Sequence, residues 1–207
     1  MPLLPTLQVE QSLWDRGQQR IVGVDEAGLG SLCGPVVAAA VLLPLDCVMI
    51  PGVRDSKTLS ARQRDRLFQE IFQQAVGVGI GAASVAEIDQ LNVLQASYLA
   101  MERALSRIGQ YDHALIDGRE ITKADLGPHT AIVDGDASCY AIACASIIAK
   151  VRRDRFIQRL AARHPEYGWD RNAGYGTKEH LEAVQKFGVT RFHRCSYAPI
   201  RKALERS

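Results

Sequence analysis

The chain has 207 residues, 47% hydrophobic and 23% charged, the proportions of an ordinary globular protein, which excludes fibrous, collagen-like and disordered classes. Its longest nearly apolar stretch, residues 35–45, contains two prolines and is too short to cross a bilayer as a helix. The net charge of +2 conceals an asymmetry: residues 1–149 carry 11 Lys+Arg against 17 Asp+Glu, a net −6, and residues 150–207 carry 14 against 6, a net +8.

The first 17 residues, MPLLPTLQVEQSLWDRG, lack a basic leader followed by a continuous apolar run, so export is not expected and the expected location is cytoplasmic. RIVGVDE (20–26) is β-branched and apolar, ends in two acids and predicts a strand. AGLGSLCGP then breaks regular structure. PVVAAAVLLP (35–44) reads as a second strand buried on both faces, and the short loop before it predicts antiparallel pairing. Ser60 caps a helix with Leu67, Phe68, Ile71 and Phe72 at three-to-four spacing. A third strand is expected over 75–83, then one long helix from Val85 to Ile108.

HALIDG (113–118) and TAIVDG (130–135) look like short buried strands, each ending at Asp-Gly. Residues 139–163 hold no Gly or Pro and predict a helix that Pro165 stops. A polar, aromatic loop follows, then a helix over 177–187 and a basic tail. A meander that later alternates with helices implies an α/β architecture, a mixed five-stranded sheet flanked by helices. The five cysteines are odd in number and lack metal-ligand spacing, so they are expected to be reduced structural thiols. The five histidines also lack metal spacing and are expected mostly on the surface or in loops, with His180, near Tyr175 in sequence, a candidate to line the groove.

Four acids fall at element ends: Asp25 and Glu26 after the first strand, Asp117 after the fourth, and Asp136 where the fifth element turns into a helix. If these strands are neighbours, their ends converge. Carboxylates gathered in this way repel one another unless a cation neutralises them, and Mg²⁺ or Mn²⁺ takes such oxygen donors while keeping positions open for water and phosphate. An acidic body beside a basic C-terminal third suits a phosphate-rich partner held near metal ions. Each acid alone can also be read as a turn former or helix cap, Asp136 most readily. Spacing does not choose between these acids and Asp134 or Asp55.

Seven blocks in order, VDEAGLGSLCGPVVAAAV (24–41), DSKTLS (55–60), LNVLQASYLAM (91–101), LIDG (115–118), GDASCYAIACASIIAKVRRD (135–154), GYGTKEH (174–180) and HRCSYAPI (193–200), together resemble bacterial ribonuclease HII, the type 2 ribonuclease H. The resemblance implies a ribonuclease H-like fold with a C-terminal helical extension. It divides the chain into a lead-in (1–19), a catalytic core (20–163) and a substrate-binding loop with the extension of the same domain (164–207). It implies a catalytic and metal-binding set of Asp25, Glu26, Asp117 and Asp136, holding two Mg²⁺ or Mn²⁺ ions. The implied substrates are RNA·DNA hybrids and duplex DNA containing ribonucleotides, cut 5′ of the ribonucleotide to leave a 3′-hydroxyl and a 5′-phosphate. Gly28, Leu29 and Gly30 match the loop whose main chain meets the 2′-hydroxyl, Tyr175 matches a tyrosine that stacks on the neighbouring sugar, and Lys57 matches a phosphate contact. A monomer without a membrane partner is expected.

The chain departs from that pattern. Leu29 stands where the family carries a loop arginine, Ser138 where Lys or Arg is usual, and Ala173 where lysine is usual, so three positive charges are missing near the implied substrate. Ser31 replaces a common proline, which predicts a less rigid loop. Weaker binding and a shallower salt dependence are expected, with the chemistry intact. The basic run Lys150, Arg152, Arg153 and Arg155 fits either a solvated helix face or a phosphate contact. The rival readings are a type 3 ribonuclease H, another nuclease of the wider superfamily, and a weakened or non-catalytic hybrid-binding protein of the same fold.

Overall fold

The computed structural model describes residues 4–120 and 124–205. Strands β1 (Ile21–Ala27), β2 (Val36–Leu42), β3 (Gly77–Ala83), β4 (His113–Asp117) and β5 (His129–Ile132) form one sheet in the order β3-β2-β1-β4-β5. The first three pair antiparallel as a meander, and β4 and β5 add parallel to β1. The helices are α1 (Gln8–Trp14), α2 (Ala61–Gln74), α3 (Val85–Leu91), α4 (Val93–Ile108), α5 (Gly135–Ser138), α6 (Tyr140–Ala161), α7 (Trp169–Asn172), α8 (Lys178–Phe187) and α9 (Ala198–Leu204). The mixed five-stranded α/β sheet flanked by helices agrees with the expectation from sequence.

Strand alternation sorts the core into two layers. Ile21, Ala39 and Val41 pack with α6, while Val22, Val24, Ala38 and Ala40 pack with α4. Glycines let the helices approach: a Cβ on Gly23 would lie 2.1 Å from the Ala141 carbonyl carbon, and one on Gly81 would lie 2.0 Å from the Ala100 carbonyl oxygen. The Gly-Val-Gly-Ile-Gly pattern of β3 thus presents a smooth face for α4.

The expected single helix over 85–108 is two helices. Asn92 takes a left-handed φ of 69° and its side chain accepts from the Leu94 and Gln95 N–H groups, ending α3 and capping α4. Apolar spacing continues across the break, which is why periodicity alone reads as continuous. At Ser60 the capping box with Gln63 forms as the sequence suggests.

The N-terminal segment is tied into the core. Thr6 exchanges two main-chain hydrogen bonds with residues 138 and 140, each 3.0 Å, and Leu7, Val9, Leu13 and Trp14 pack on the α6 layer. The buried Glu10 carboxylate accepts from the Ala141 N–H at 2.7 Å, satisfying one of the free donors at the start of α6. All five cysteines are free, with Cys33, Cys139 and Cys144 buried. Among the described residues, no helix is long and apolar enough to cross a membrane.

Candidate active site

Because β1 and β4 are parallel neighbours, their C-terminal ends lie side by side, and α5 begins just past the neighbouring β5. Asp25, Asp117 and Asp136 therefore meet, each offering a ligand oxygen within 4.8 Å of the others. Gly135, which leads into Asp136, donates its N–H to Asp117 at 2.8 Å and fixes the two loops together. Asp25 is held by the Glu26 N–H at 2.6 Å. Ser146 of α6 lies close enough to ease the ionisation of the same carboxylate, and its Oγ lies 2.8 Å from the Ser56 Oγ.

Glu26 follows Asp25 on a strand and so points to the other face, and its carboxylate is outside the three-oxygen group. It still shares the field of the cluster. Burial and then the Asp117 charge push Glu26 up to about 7, against the opposing charge of Lys57. Burial, then Glu26 and Asp117, hold Asp25 well above the usual carboxylate range. Asp136 is raised by burial, with Lys57 opposing and Asp117 and Asp55 adding to the rise. A site in which Asp25, Glu26 and Asp136 resist ionisation is short of positive charge, and a divalent cation with oxygen preference fits the donors present.

The alternatives left open by spacing separate here. Asp55 accepts from the Lys57 N–H and shapes the turn at residues 56–58. Asp134 is exposed and makes no side-chain cap hydrogen bond. Asp136 does not act as a cap: α5 is preceded by Asp134 and α6 by Cys139. Lys57, matched in sequence to a phosphate contact, places its exposed ammonium 3.2 Å from Asp136.

Beside the acids runs the loop between β1 and β2. Gly28 has φ +104° and a Cβ there would meet the Arg153 Nε at 2.1 Å, so only glycine fits. At Gly30 a Cβ would meet only the Tyr175 ring, at 3.8 Å, an ordinary contact. Leu29 and Tyr175 are exposed, at 36% and 40%. Ser31 pairs in a short antiparallel bridge with Tyr175, and Cys33 with His193. The glycine loop and the tyrosine therefore form one surface next to the carboxylates.

Ser31 does not leave the loop loose. Its hydroxyl is buried and accepts from the Arg153 Nη2 at 2.7 Å, a bond that proline could not make. The basic run also resolves. Arg153 is fully buried, Lys150 pairs with Asp154 at 2.8 Å, and Arg155 pairs with Asp65 at 2.8 Å. Simple solvation is thus wrong for Arg153. Its signal in the sequence is its place on the core face of α6, four residues from the buried Ala149 and Ile157.

His180 and His193 are likewise buried, against the expectation of surface or loop positions. The Thr190 N–H donates to the His193 Nδ1 at 2.9 Å, which leaves the His193 proton on Nε2, 3.1 Å from the His180 Nε2. Trp169 donates to that same nitrogen at 2.9 Å, so His180 carries its proton on Nδ1 and donates to the Tyr175 carbonyl at 2.9 Å. A stacked Tyr167–Trp169 pair completes this aromatic base beneath the Tyr175 loop. Sequence reading misses it because imidazoles satisfied by long-range partners carry no local pattern.

The mixed sheet, with carboxylates converging at adjacent strand ends, defines a nuclease of the ribonuclease H class. The family model for ribonuclease HII matches residues 22–200. Ribonuclease HII of Thermosynechococcus vestitus is 61% identical over 192 residues, covering 93% of this chain and 90% of the relative. The chain belongs to the ribonuclease HII family, and it is a ribonuclease H endonuclease. Solved structures share the fold: ribonuclease H2 of Pyrococcus horikoshii (TM-score 0.72, 24% identity, 90% of this chain and 98% of that one) and Bst-RNase HIII in complex with Mn²⁺ (TM-score 0.68, 17% identity, 91% and 70%).

Proposed function

We propose that this chain is a Mg²⁺- or Mn²⁺-dependent endonuclease that hydrolyses the RNA strand of RNA·DNA hybrids and nicks duplex DNA 5′ of an embedded ribonucleotide, leaving a 3′-hydroxyl and a 5′-phosphate. The observation that carries this reading is the meeting of Asp25, Asp117 and Asp136 within 4.8 Å, directly beside an exposed glycine loop and tyrosine. Asp25, Asp117 and Asp136, with Glu26 close enough to share their field, would hold a divalent cation, which would lend Lewis-acid activation of water and offset charge on the departing oxygen. The Mn²⁺ complex of the fold relative Bst-RNase HIII supports that choice of ion.

The chain's own groups do the remaining work. Ser146 and the Glu26 N–H orient Asp25, and the Gly135 N–H orients Asp117. Lys57 sits where it can release Asp136 to a cation and turn to a substrate phosphate. Gly28, Leu29 and Gly30 offer main chain to a 2′-hydroxyl, the one group that separates RNA from DNA at a given sugar, and Tyr175 offers a ring face to the adjoining sugar.

The test is cleavage of a DNA duplex carrying one ribonucleotide, in Mg²⁺ and in Mn²⁺, beside an Asp25→Asn protein and an all-DNA control. A metal-dependent nick 5′ of the ribonucleotide, absent from both controls, is expected. Cleavage without metal ions, or binding with no cleavage, would overturn the reading; the second result would favour the hybrid-binding alternative.

A further inference from the structure

Arg153 and Arg194 are among the largest fully buried side chains of the protein, each 0% exposed, and among the described residues neither has a carboxylate partner. Burying a charge without a counter-ion is costly, so each guanidinium depends on neutral acceptors, which reach every Arg153 nitrogen and the Nε and Nη1 of Arg194 but not its buried Nη2. Five of those seven acceptors lie in one segment, residues 29–35. Arg153 donates to the carbonyls of Pro35 (3.3 Å), Cys33 (3.3 Å) and Ala173 (3.1 Å) and to the Ser31 hydroxyl (2.7 Å). Arg194 donates to the carbonyls of Gly34 (3.0 Å) and Leu29 (2.9 Å) and to the Tyr197 hydroxyl (3.0 Å), while the Tyr197 hydroxyl itself donates to the Leu29 carbonyl.

Both arginines thus grip the loop that joins β1 to β2, one from α6 and one from the last 15 residues. Main-chain bonds extend the grip: the Leu32 N–H donates to Gly174, the Gly34 N–H to Phe192 and the Arg194 N–H to Leu32, each at 2.8 Å. The pinned atom closest to the exposed tip is the carbonyl of Leu29. Fixing that peptide fixes the direction of the Gly30 N–H, and it does so without using the side chain at position 29.

We propose that Arg153 and Arg194, with Ser31 and Tyr197, are positioning residues that set the shape of the Gly28–Gly30 loop and thereby set how strongly this chain selects a single 2′-hydroxyl. The inference rests on the reading of that loop given under Proposed function. A duplex with one ribonucleotide offers a single 2′-hydroxyl in a single register. A continuous RNA strand offers one at every step and tolerates a loop that wanders.

The experiment pairs two readouts on Tyr197→Phe, Ser31→Ala and Arg194→Lys. In the first, initial rates are compared on a single-ribonucleotide duplex and on a uniform RNA·DNA hybrid. Loss of one or two hydrogen bonds predicts a three- to tenfold fall on the former, on the order of one bond's worth, with the hybrid rate within about twofold. In the second, amide hydrogen exchange is followed at Leu29, Gly30 and Ser31, and a rise of about tenfold is expected in Tyr197→Phe. A folded Tyr197→Phe protein with native exchange in this loop would overturn the clamp, as would an equal fall on both substrates. If the wild-type protein does not cut the single-ribonucleotide duplex, the functional reading fails instead, and the exchange result still decides the clamp. Should Arg194→Lys not fold, Tyr197→Phe and Ser31→Ala carry the test.

Discussion

Two regions of this molecule bury charge, and they treat it in opposite ways. At the sheet end, Asp25, Glu26 and Asp136 are pushed up by burial and by mutual repulsion, with Lys57 opposing the rise at Glu26 and Asp136. Under the glycine loop, Arg153 and Arg194 are lowered by burial, yet both are surrounded by carbonyl and hydroxyl oxygens. The negative site is incomplete by design and stays open to an ion and a substrate. The positive site is held by the protein's own oxygens, with only the Arg194 Nη2 left without one. One is a place for chemistry and the other is a fastening, although both read as isolated charges in the sequence.

The largest expected effect separates them directly. Asp25→Asn should lower cleavage by at least about a thousandfold through loss of a cation ligand, while the melting temperature of the metal-free protein does not fall. Arg153→Met should do the reverse to the fold: several buried acceptors lose their donor, at about 1–3 kcal/mol each, so melting drops by many degrees whatever the metal. An Asp25→Asn protein that unfolds, or an Arg153→Met protein that melts normally, breaks the contrast.

The pH dependence should differ in sign. Burial and the Asp117 charge push Glu26 up to about 7 from its ordinary 4.5, so the native state holds more protons than the unfolded chain over that window and metal-free stability falls as pH rises through it. A divalent cation reverses this, and Mn²⁺ should raise the melting temperature more at pH 8 than at pH 5. His193 is lowered by burial, and then by His180, to about 4 from 6.5. The unfolded chain therefore binds more protons between those values, and this contribution is lost as pH falls from 6.5 to 4. Melting curves of Glu26→Gln and the wild type across pH 4–8, with and without Mn²⁺, resolve the two slopes.

Smaller effects sharpen the role of the loop. Gly30→Ala should leave melting within about 0.5 kcal/mol, because its Cβ meets nothing closer than 3.8 Å, but should reduce cleavage at a single ribonucleotide if main chain approaches the sugar there. Gly28→Ala, blocked by Arg153, should fail to fold normally, and a soluble, fully active Gly28→Ala protein contradicts the packing described. The smallest change is electrostatic. Leu29→Arg and Ala173→Lys should each steepen the salt dependence of binding by up to about one unit of slope, measured by titration of a hybrid at several salt concentrations.

How much of this was legible in the sequence follows from what each residue depends on. Strands β1, β2 and β4 and the four acids at element ends are visible because apolar runs and their termini are local patterns. The meeting of Asp25, Asp117 and Asp136 needed the strand order, which the meander and the later crossovers restrict to few choices. Glu26 belongs to the same expected set, and its carboxylate lies outside the three-oxygen group while sharing the field of Asp117, Asp136 and Lys57. Arg194, His180 and His193 are illegible as core residues, because polar side chains are normally exposed and their partners lie far away in sequence, whereas Arg153 is betrayed only by its place on the core face of α6. The break at Asn92 was missed for a different reason, since a left-handed residue leaves the hydrophobic period intact.

The span of the loop's fastening has a consequence for how the protein is made. Leu29 is joined to Arg194 and Tyr197 across separations of 165 and 168 residues. During synthesis from the N-terminus, Asp25, Glu26, Asp117 and Asp136 all leave the ribosome while the partners of Leu29 are still unmade. A nascent chain, or a product of premature termination, can thus gather its acids without yet holding its selective loop. The fastening of the glycine loop is therefore completed only after Arg194 and Tyr197 have been made, well after the four acids.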